Sequence, residues 1–386
     1  MDLTLDDDQR LLAESARQLF ERTYPTTEAR TVEALPERFS RGLWAQVSEL
    51  GWPGIALPEA NGGAGYGMLE LAILAEELGR AAVTLPLLSS FAATLPLLWA
   101  GSDAVRANWL APLAAGASIA ALALVEPGGG SERSTPTTAG TATTDGWRLS
   151  GTKLAVRFAT TADVLLVSAD LGDGGVSLLA VAADAPGVAR VSHDTFSPEP
   201  LAAVTFTDVA VGHDDVVGER GDGGAIVDRT LAHLTVLDTA YAVGLCDAAL
   251  ALAVDHATNR EQFGRPIGVN QAVSHQCVDI RVEVDAMRVL AHQAAWRLDH
   301  HATDPTHATD PGGDPAAAAR AVAIANAYAR DVIPGVFARA HQVHGAMGFT
   351  MEYDLQLFSR RAKSYELMGG GSAARHLEQV AQSLGL

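Results

Sequence analysis

Cysteine is nearly absent: Cys246 and Cys277 are the only two in 386 residues. Both fall inside amphipathic patterns with no second Cys or His at ligand spacing, which excludes a disulfide scaffold or zinc knuckle and leaves them as buried packing residues. Positive charge is also scarce. Lys and Arg number 27 against 46 Asp and Glu, a formal charge of -19, and no basic run interrupts it. Phosphate backbones and anionic lipid surfaces are repelled, so nucleic acid and membranes are not expected partners. No run of about 18 apolar residues is free of charge. The opening Met1-Asp2-Leu3-Thr4-Leu5-Asp6-Asp7-Asp8 has neither the cationic flank nor the apolar core of a secretory signal, and the cytoplasm is the expected location. Also missing are GxGxxG after a strand, GxxxxGK[ST], GxSxG and any internal repeat. What is present is a 48% hydrophobic chain of a length that buries a sizeable core in two or three sub-domains.

The pattern of apolar residues changes twice along the chain. Leu12, Ala16, Leu19 and Phe20 recur at helical spacing between Thr4 and about Arg22, Leu43 to Leu50 repeats the pattern, and a further helix runs from about Met68 to Leu78. Between them lies the loop Pro58-Glu59-Ala60-Asn61-Gly62-Gly63-Ala64-Gly65, whose breakers forbid regular structure. From about Ser118 to Gly212 come short β-rich runs, such as Val164 to Val167 and Val176 to Val181, separated by Asp145-Gly146 and Gly172-Asp173-Gly174-Gly175 turns. Helical periodicity then returns over roughly 225–259, 268–300, 315–344 and 353–367, with a short final helix. The spacing predicts an α+β chain: a helical domain over 1–117, a β domain over 118–222 and a helical domain over 223–386. His300, His301 and His307 with Asp299, Asp304 and Asp310 read as a solvated connection between helices. Their Pro punctuation and lack of helical ligand spacing argue against a metal cluster, and no metal is expected.

Several blocks carry a resemblance. Glu49-Leu50-Gly51-Trp52-Pro53-Gly54-Ile55-Ala56-Leu57-Pro58-Glu59, Gly62 to Gly65 and Glu76-Glu77-Leu78-Gly79-Arg80 form the first. Val125-Glu126-Pro127 with Gly130-Ser131, then Arg260-Glu261-Gln262-Phe263-Gly264 with Gln271, and then Gln342-Val343-His344-Gly345-Ala346-Met347-Gly348-Phe349-Thr350 follow in order. Together they resemble the acyl-CoA dehydrogenase family over nearly the whole chain. The resemblance implies a fold of N-terminal helical domain, middle β-barrel or sandwich domain and C-terminal four-helix bundle. It also implies FAD shared between subunits, an acyl-CoA substrate and electron-transfer flavoprotein as acceptor. In that family a carboxylate takes the α proton of the thioester while the β hydride passes to the flavin.

Two half-sites are implied for each subunit, and here they differ. For the half offered to a neighbour's FAD, Arg260 supplies a planar cationic fork for the pyrophosphate, and Gln262 and Gln271 supply amide donors. Phe263 is an apolar wall, and Gln342 with Gly345, Ala346 and Gly348 lets backbone N–H groups approach closely; Ala346 replaces a family glycine. In the half the chain would use itself, Val125 replaces a threonine, Ala155 an aromatic that stacks on flavin, and Arg157 the threonine at N5. The base of the C-terminal motif becomes Gly369 and a following threonine becomes Gly371. The earlier-helix base position of isovaleryl-type members is Leu234, followed by Thr235 in place of Arg. No catalytic carboxylate stands at either family position. Asp238 and Glu366 are the possible substitutes, each with a plainer reading as a helix acid, Glu366 paired to Lys363.

The combination resembles the glutamate-less subunit of heteromeric α2β2 acyl-CoA dehydrogenases of steroid side-chain degradation, completing the FAD site of a homologous catalytic subunit. The alternative is a self-sufficient homotetrameric flavoenzyme of the same fold, with a displaced base or different oxidative chemistry. A flavin-free binding protein is a further alternative.

Overall fold

The computed structural model describes residues 4–128, 136–172, 174–300, 315–368, 377–378 and 380–382. Along the chain come helices α1 (Asp7–Thr23), α2 (Thr26–Glu33), α3 (Arg41–Glu49), α4 (Met68–Arg80), α5 (Leu87–Ala100) and α6 (Asp103–Ala114). Strands β1 (Ala120–Ala123), β2 (Ala139–Thr143), β3 (Gly146–Arg157), β4 (Val164–Ala169), β5 (Ser177–Ala182), β6 (Val188–Ser192), β7 (Leu201–Gly212) and β8 (Val216–Val217) follow. Helix α7 (Gly224–Asn259), a hairpin of β9 (Glu261–Gln262) and β10 (Arg265–Pro266), α8 (Gln271–His300), α9 (Pro315–His344) and α10 (Asp354–Leu367) complete the order. This is the helical, β, helical sequence expected; the short final helix falls on residues only partly described.

Local chemistry sets the boundaries. α1 starts later than Thr4 because the Asp6 side chain accepts from Gln9 N at 2.8 Å while the Gln9 side chain accepts from Asp6 N at 3.1 Å, a capping box. Periodicity shows no sign of α5. Every residue from Leu87 to Leu97 is buried, so no polar stripe marks it, and Pro96 lies inside it. α7 is apolar enough over one window to pass for a membrane span by length and hydropathy, yet 72% of that window is buried inside the protein. Its residues serve a core.

The chain gathers into two compact units. The first comprises Val32–Tyr66 and Thr84–Leu234. Its sheets run β1-β4-β5-β8 and β2-β3-β7-β6. β1 and β4 are parallel, and the other pairings are antiparallel. Alternate residues of the first sheet face different cores. Ala120, Val164, Leu166, Leu178 and Ala180 pack with Ala93 and Leu97 of α5 and Val105, Leu110 and Leu113 of α6. Ala121, Leu165, Val167, Leu179 and Val181 pack with Trp147, Leu149, Val204, Phe206 and Val209 of the second sheet. β4 is therefore covered on both faces, which is why it reads as an unbroken apolar run.

The second unit comprises Met1–Thr31, Gly67–Val83 and Thr235–Leu386. α4 and α7 touch backbone to backbone: a Cβ on Gly79 would lie 1.9 Å from Tyr241 O, and one on Gly244 1.9 Å from Glu76 O. Buried charge sits beside this crossing. Glu76 accepts from Arg80 at 3.0 Å and Arg288 at 2.9 Å, Glu77 pairs with Arg17 at 2.7 Å, and Arg80 also meets Asp247. Burial alone would raise the Glu76 carboxyl, but His292 and Arg288 outweigh it and hold it at about 2. Asp299, expected in a solvated loop, instead ends α8 and accepts from Met68 N at 2.7 Å and Leu69 N at 3.2 Å, capping α4. Burial pushes its carboxyl up to about 6. Residues 301–311 of that loop lie outside the described residues. Among the described residues no His, Cys, Asp or Glu group could hold a metal. Both cysteines are free thiols; Cys246 is buried as expected, but Cys277, on the half-covered side of α8, is only partly so.

Candidate functional site

α7 ends where its last turn hands over to a tight hairpin. Arg260 N donates to His256 O at 2.9 Å, and Ile267 N returns to Arg260 O at 2.9 Å, closing the loop. Gln262 pairs with Arg265 across β9 and β10, leaving Phe263 and Gly264 as a two-residue turn with φ of +53° and +76°. Both central residues are left-handed, as in a type I′ hairpin. Glycine accepts that conformation freely. For a bulky residue it costs on the order of 1 kcal/mol, and Phe263 is also 101% exposed. Arg260, Gln262 and Gln271 are exposed as well, and among the described residues no carboxylate pairs with the Arg260 guanidinium.

A second segment adjoins this hairpin. Gln342 is exposed on the last turn of α9, which gives way at Gly345 (φ +63°) to a single 3-10 turn over Gly345–Phe349. Ala346 is exposed, so its methyl, in place of the family's hydrogen, projects from an open part of the turn. Gly348 is buried: a Cβ there would lie 3.0 Å from His344 Cβ and 3.2 Å from His341 Nδ1. The His256 ring of α7 stacks on the His344 ring of α9 with centroids 4.7 Å apart, so the turn before Arg260 and the turn before Gly345 are held together. Thus Arg260, Gln262 and Phe263 lie on one hairpin, Gln271 starts α8 shortly after it, and Gln342, Gly345, Ala346 and Gly348 form one helix end beside the turn before Arg260. An unpaired cation, exposed amides and an open glycine turn fit a diphosphate; exposed Phe263 and Phe349 (70% exposed) fit flat apolar rings.

The positions of the other half lie on the β unit. Val125 follows β1, and its carbonyl accepts from Leu154 N at 2.8 Å. Next to it Glu126 accepts from Lys153 Nζ at 2.6 Å, Thr137 N at 2.5 Å, Thr137 Oγ1 at 2.6 Å and Thr138 N at 2.9 Å. Lys153 is fully buried and also donates to Ser168 Oγ at 2.9 Å. Burial would raise the Glu126 carboxyl, yet Lys153, Thr137 and Thr138 together hold it at about 2. Burial lowers the Lys153 ammonium despite its partner. Ala155 stands exposed at a β-bulge with φ +52°. Arg157, the cation in place of the family's threonine, is paired within the β unit. Its Nε lies 3.2 Å from Glu199 Oε2, and both side chains are largely covered.

The substitute carboxylates are equally concrete. Lys363 Nζ donates to both Glu366 oxygens, at 2.8 and 2.9 Å, the ordinary i to i+3 pair. Asp238 is half-buried on α7 and acts electrostatically on buried Tyr365. Leu234, on the same helix, is half-buried and carries no titratable group. Gly130, Ser131, Gly369 and Gly371 lie outside the described residues. Sequence reasoning missed Glu199 and the histidines His256, His341 and His344. The histidines carried a signal, since two end a helical segment beside the glycine run and the third lies one helical turn before Arg260.

Residues 6–117, 121–209 and 221–385 match the N-terminal, middle and C-terminal domains of acyl-CoA dehydrogenases. The chain is 30% identical over 364 residues to the acyl-CoA dehydrogenase FadE27 of Mycobacterium tuberculosis, covering 92% of this chain and 91% of that one. It is similar in structure to a chain of the ChsE4-ChsE5 complex from Mycobacterium tuberculosis, with TM-score 0.86, 28% identity and coverage of 100% and 99%. It is likewise similar to a chain of a variant of the Tcur3481-Tcur3483 steroid ACAD, with TM-score 0.83, 31% identity and coverage of 98% of both. FAD is the cofactor of acyl-CoA dehydrogenases. With all three domains matched in order, this chain belongs to the acyl-CoA dehydrogenase family, FAD-dependent oxidoreductases that act on a CH–CH bond.

Proposed function

We propose that this chain is the non-catalytic subunit of a heteromeric acyl-CoA dehydrogenase, desaturating a CoA thioester of bulky, steroid side-chain type in an α2β2 assembly. The observation that carries the reading is the contrast between its two half-sites. The surface of Arg260, Gln262, Phe263, Gln271, Gln342, Gly345 and Ala346 is exposed, carries a cation and is strained at its Phe263 tip. On the β unit, by contrast, Val125 and Ala155 offer neither hydroxyl nor ring, and Arg157 is engaged by Glu199. With Glu366 neutralised by Lys363, no free carboxylate remains among the described residues at the C-terminal end of α10. FAD supplies hydride acceptance when bound; proton abstraction then falls to a carboxylate of a homologous partner.

The names of the two similar assemblies, one a ChsE4-ChsE5 complex and one a steroid ACAD, support this partner and substrate class. The reading includes domains at 1–117, 118–222 and 223–386, a cytoplasmic location and electron-transfer flavoprotein as acceptor. One observation favours the self-sufficient enzyme instead: Asp238 is a half-buried carboxylate one turn beyond Leu234. The deciding experiment purifies this chain alone and with an adjacently encoded homologue that retains the base. Flavin content and acyl-CoA turnover with an artificial acceptor are then measured. A colourless, inactive chain that becomes yellow and active only with its partner is the expected result. A yellow chain active alone, and silenced by Asp238→Asn, would overturn it.

A further inference from the structure

His256, His341 and His344 form a cluster to which the family reading assigns nothing. His344 is 5% exposed. Its Nδ1 lies 2.7 Å from the Ala340 carbonyl, which can only accept, so Nδ1 carries the proton. Nε2 is then a buried acceptor, and it has no hydrogen-bond partner. His256 stacks on one side of His344 at 4.7 Å, and Tyr353 lies 5.0 Å away on another. His341, on the same helix, stacks on Phe349 at 4.4 Å. Gly348 is packed directly on His341 and His344. The cluster is thus the floor of the Gly345–Phe349 turn and lies one helical turn from Arg260.

Two opposed influences act on these rings. They sit at the C-terminal ends of α7 and α9, where the helix dipoles favour imidazolium. Burial, then His344, and for His256 also Arg260, push both His256 and His341 below the ordinary histidine value, with the Gly348 backbone pushing back on His341. Among the described residues, Asp255 and Arg260 act on His256, and Asp255 and Asp354 act on the neighbouring Tyr353. Asp354 is already paired with Arg30 at 2.9 Å, and Asp255 accepts from Asn259 at 2.7 Å, so the nearby acids are engaged with other partners. The buried His344 Nε2 beneath the open turn is therefore an acceptor without a partner among the described residues.

We propose that His256, His341 and His344 are a further part of the half-site. They form a proton-accepting floor that gains positive charge when a diphosphate diester docks on Arg260 and the Gly345–Phe349 turn. The proposal rests on the half-site reading above and adds a proton to it. No covalent step is involved; a solvent proton binds an imidazole as the anion arrives. By linkage, the anion must then bind more tightly as pH falls, by up to about tenfold per pH unit for one proton taken up.

ADP-ribose is a suitable probe, because its diphosphate diester does not titrate between about pH 5 and 8 while histidine does. The full-length chain, labelled with 13C at histidine Cε1, is titrated with and without ADP-ribose, and affinity is measured at each pH. The expected result is an upward move of about one pH unit in at least one of the three histidines, with affinity rising as pH falls. His256→Gln should weaken binding at low pH and so flatten its pH dependence, and Arg260→Ala should abolish binding. Binding that depends on Arg260 but is flat with pH, with histidine titrations unmoved, would overturn the proton-linked floor and leave the half-site standing. No binding at any pH would overturn both.

Discussion

Glu126→Gln isolates the buried ion pair on the β unit, and its effect can be worked from the structure. The Glu126 carboxyl sits at about 2 against an ordinary 4.5. At about 1.4 kcal/mol per pH unit, the ionised side chain favours folding by about 3 kcal/mol. Because the folded-state value is lowered, this stability is complete above 4.5 and disappears as pH falls towards 2; about 2 kcal/mol of it is gone by pH 3. The Gln variant cannot titrate there. It also leaves Lys153 buried without a counter-charge, so at neutral pH the variant is destabilised by about 3 kcal/mol or more. Urea unfolding of both proteins at pH 7 and pH 3, followed by tryptophan fluorescence, reads the gap between them. The gap should narrow by about 2 kcal/mol at the lower pH. Glu76 also titrates in that range, but equally in both proteins, and cancels. A gap that stays constant within about 0.5 kcal/mol would show that Glu126 is not held ionised by its donors.

Arg260→Ala should lower the flavin content of the assembled complex while moving this chain's unfolding free energy by less than about 0.5 kcal/mol, since an exposed fork is lost without opening a cavity; unchanged flavin absorbance would refute it. Gly244→Ala forces a methyl group onto the Glu76 carbonyl where α4 and α7 touch, and should cost about 3 kcal/mol or more in thermal or urea unfolding. A loss below about 1 kcal/mol would mean that the helices part easily. Gly369→Glu alone should leave this chain without acyl-CoA turnover, because Val125, Ala155 and the Arg157–Glu199 pair still deny the flavin its contacts; measurable turnover by that single variant would contradict the reading. Removing the base carboxylate of a catalytic partner should abolish turnover of the mixed complex, and residual activity above about 1% would place a base on this chain.

The order of helical, β and helical segments was legible because amphipathic α1, α3 and α8 and the turn-punctuated strands write their period into the sequence. The family's blocks were legible too, because residue identity at a motif position needs no coordinates. α5 was not legible: a helix buried on every side has no polar face to betray its period. Asp299 looked like part of a solvated loop because sequence shows neither the α4 N-terminus it caps nor the burial that raises its carboxyl. The partner of Arg157 was not legible, because Glu199 is remote in sequence and becomes its neighbour only where β3 pairs with β7. The histidine cluster likewise depends on the last turns of α7 and α9 coming together, where His256 stacks on His344. Periodicity and residue type are local properties and determined the elements and the chemistry available. Which charges are neutralised, and which buried nitrogen is left without a partner, depends on contacts between residues far apart in the chain, and only the tertiary structure decided them.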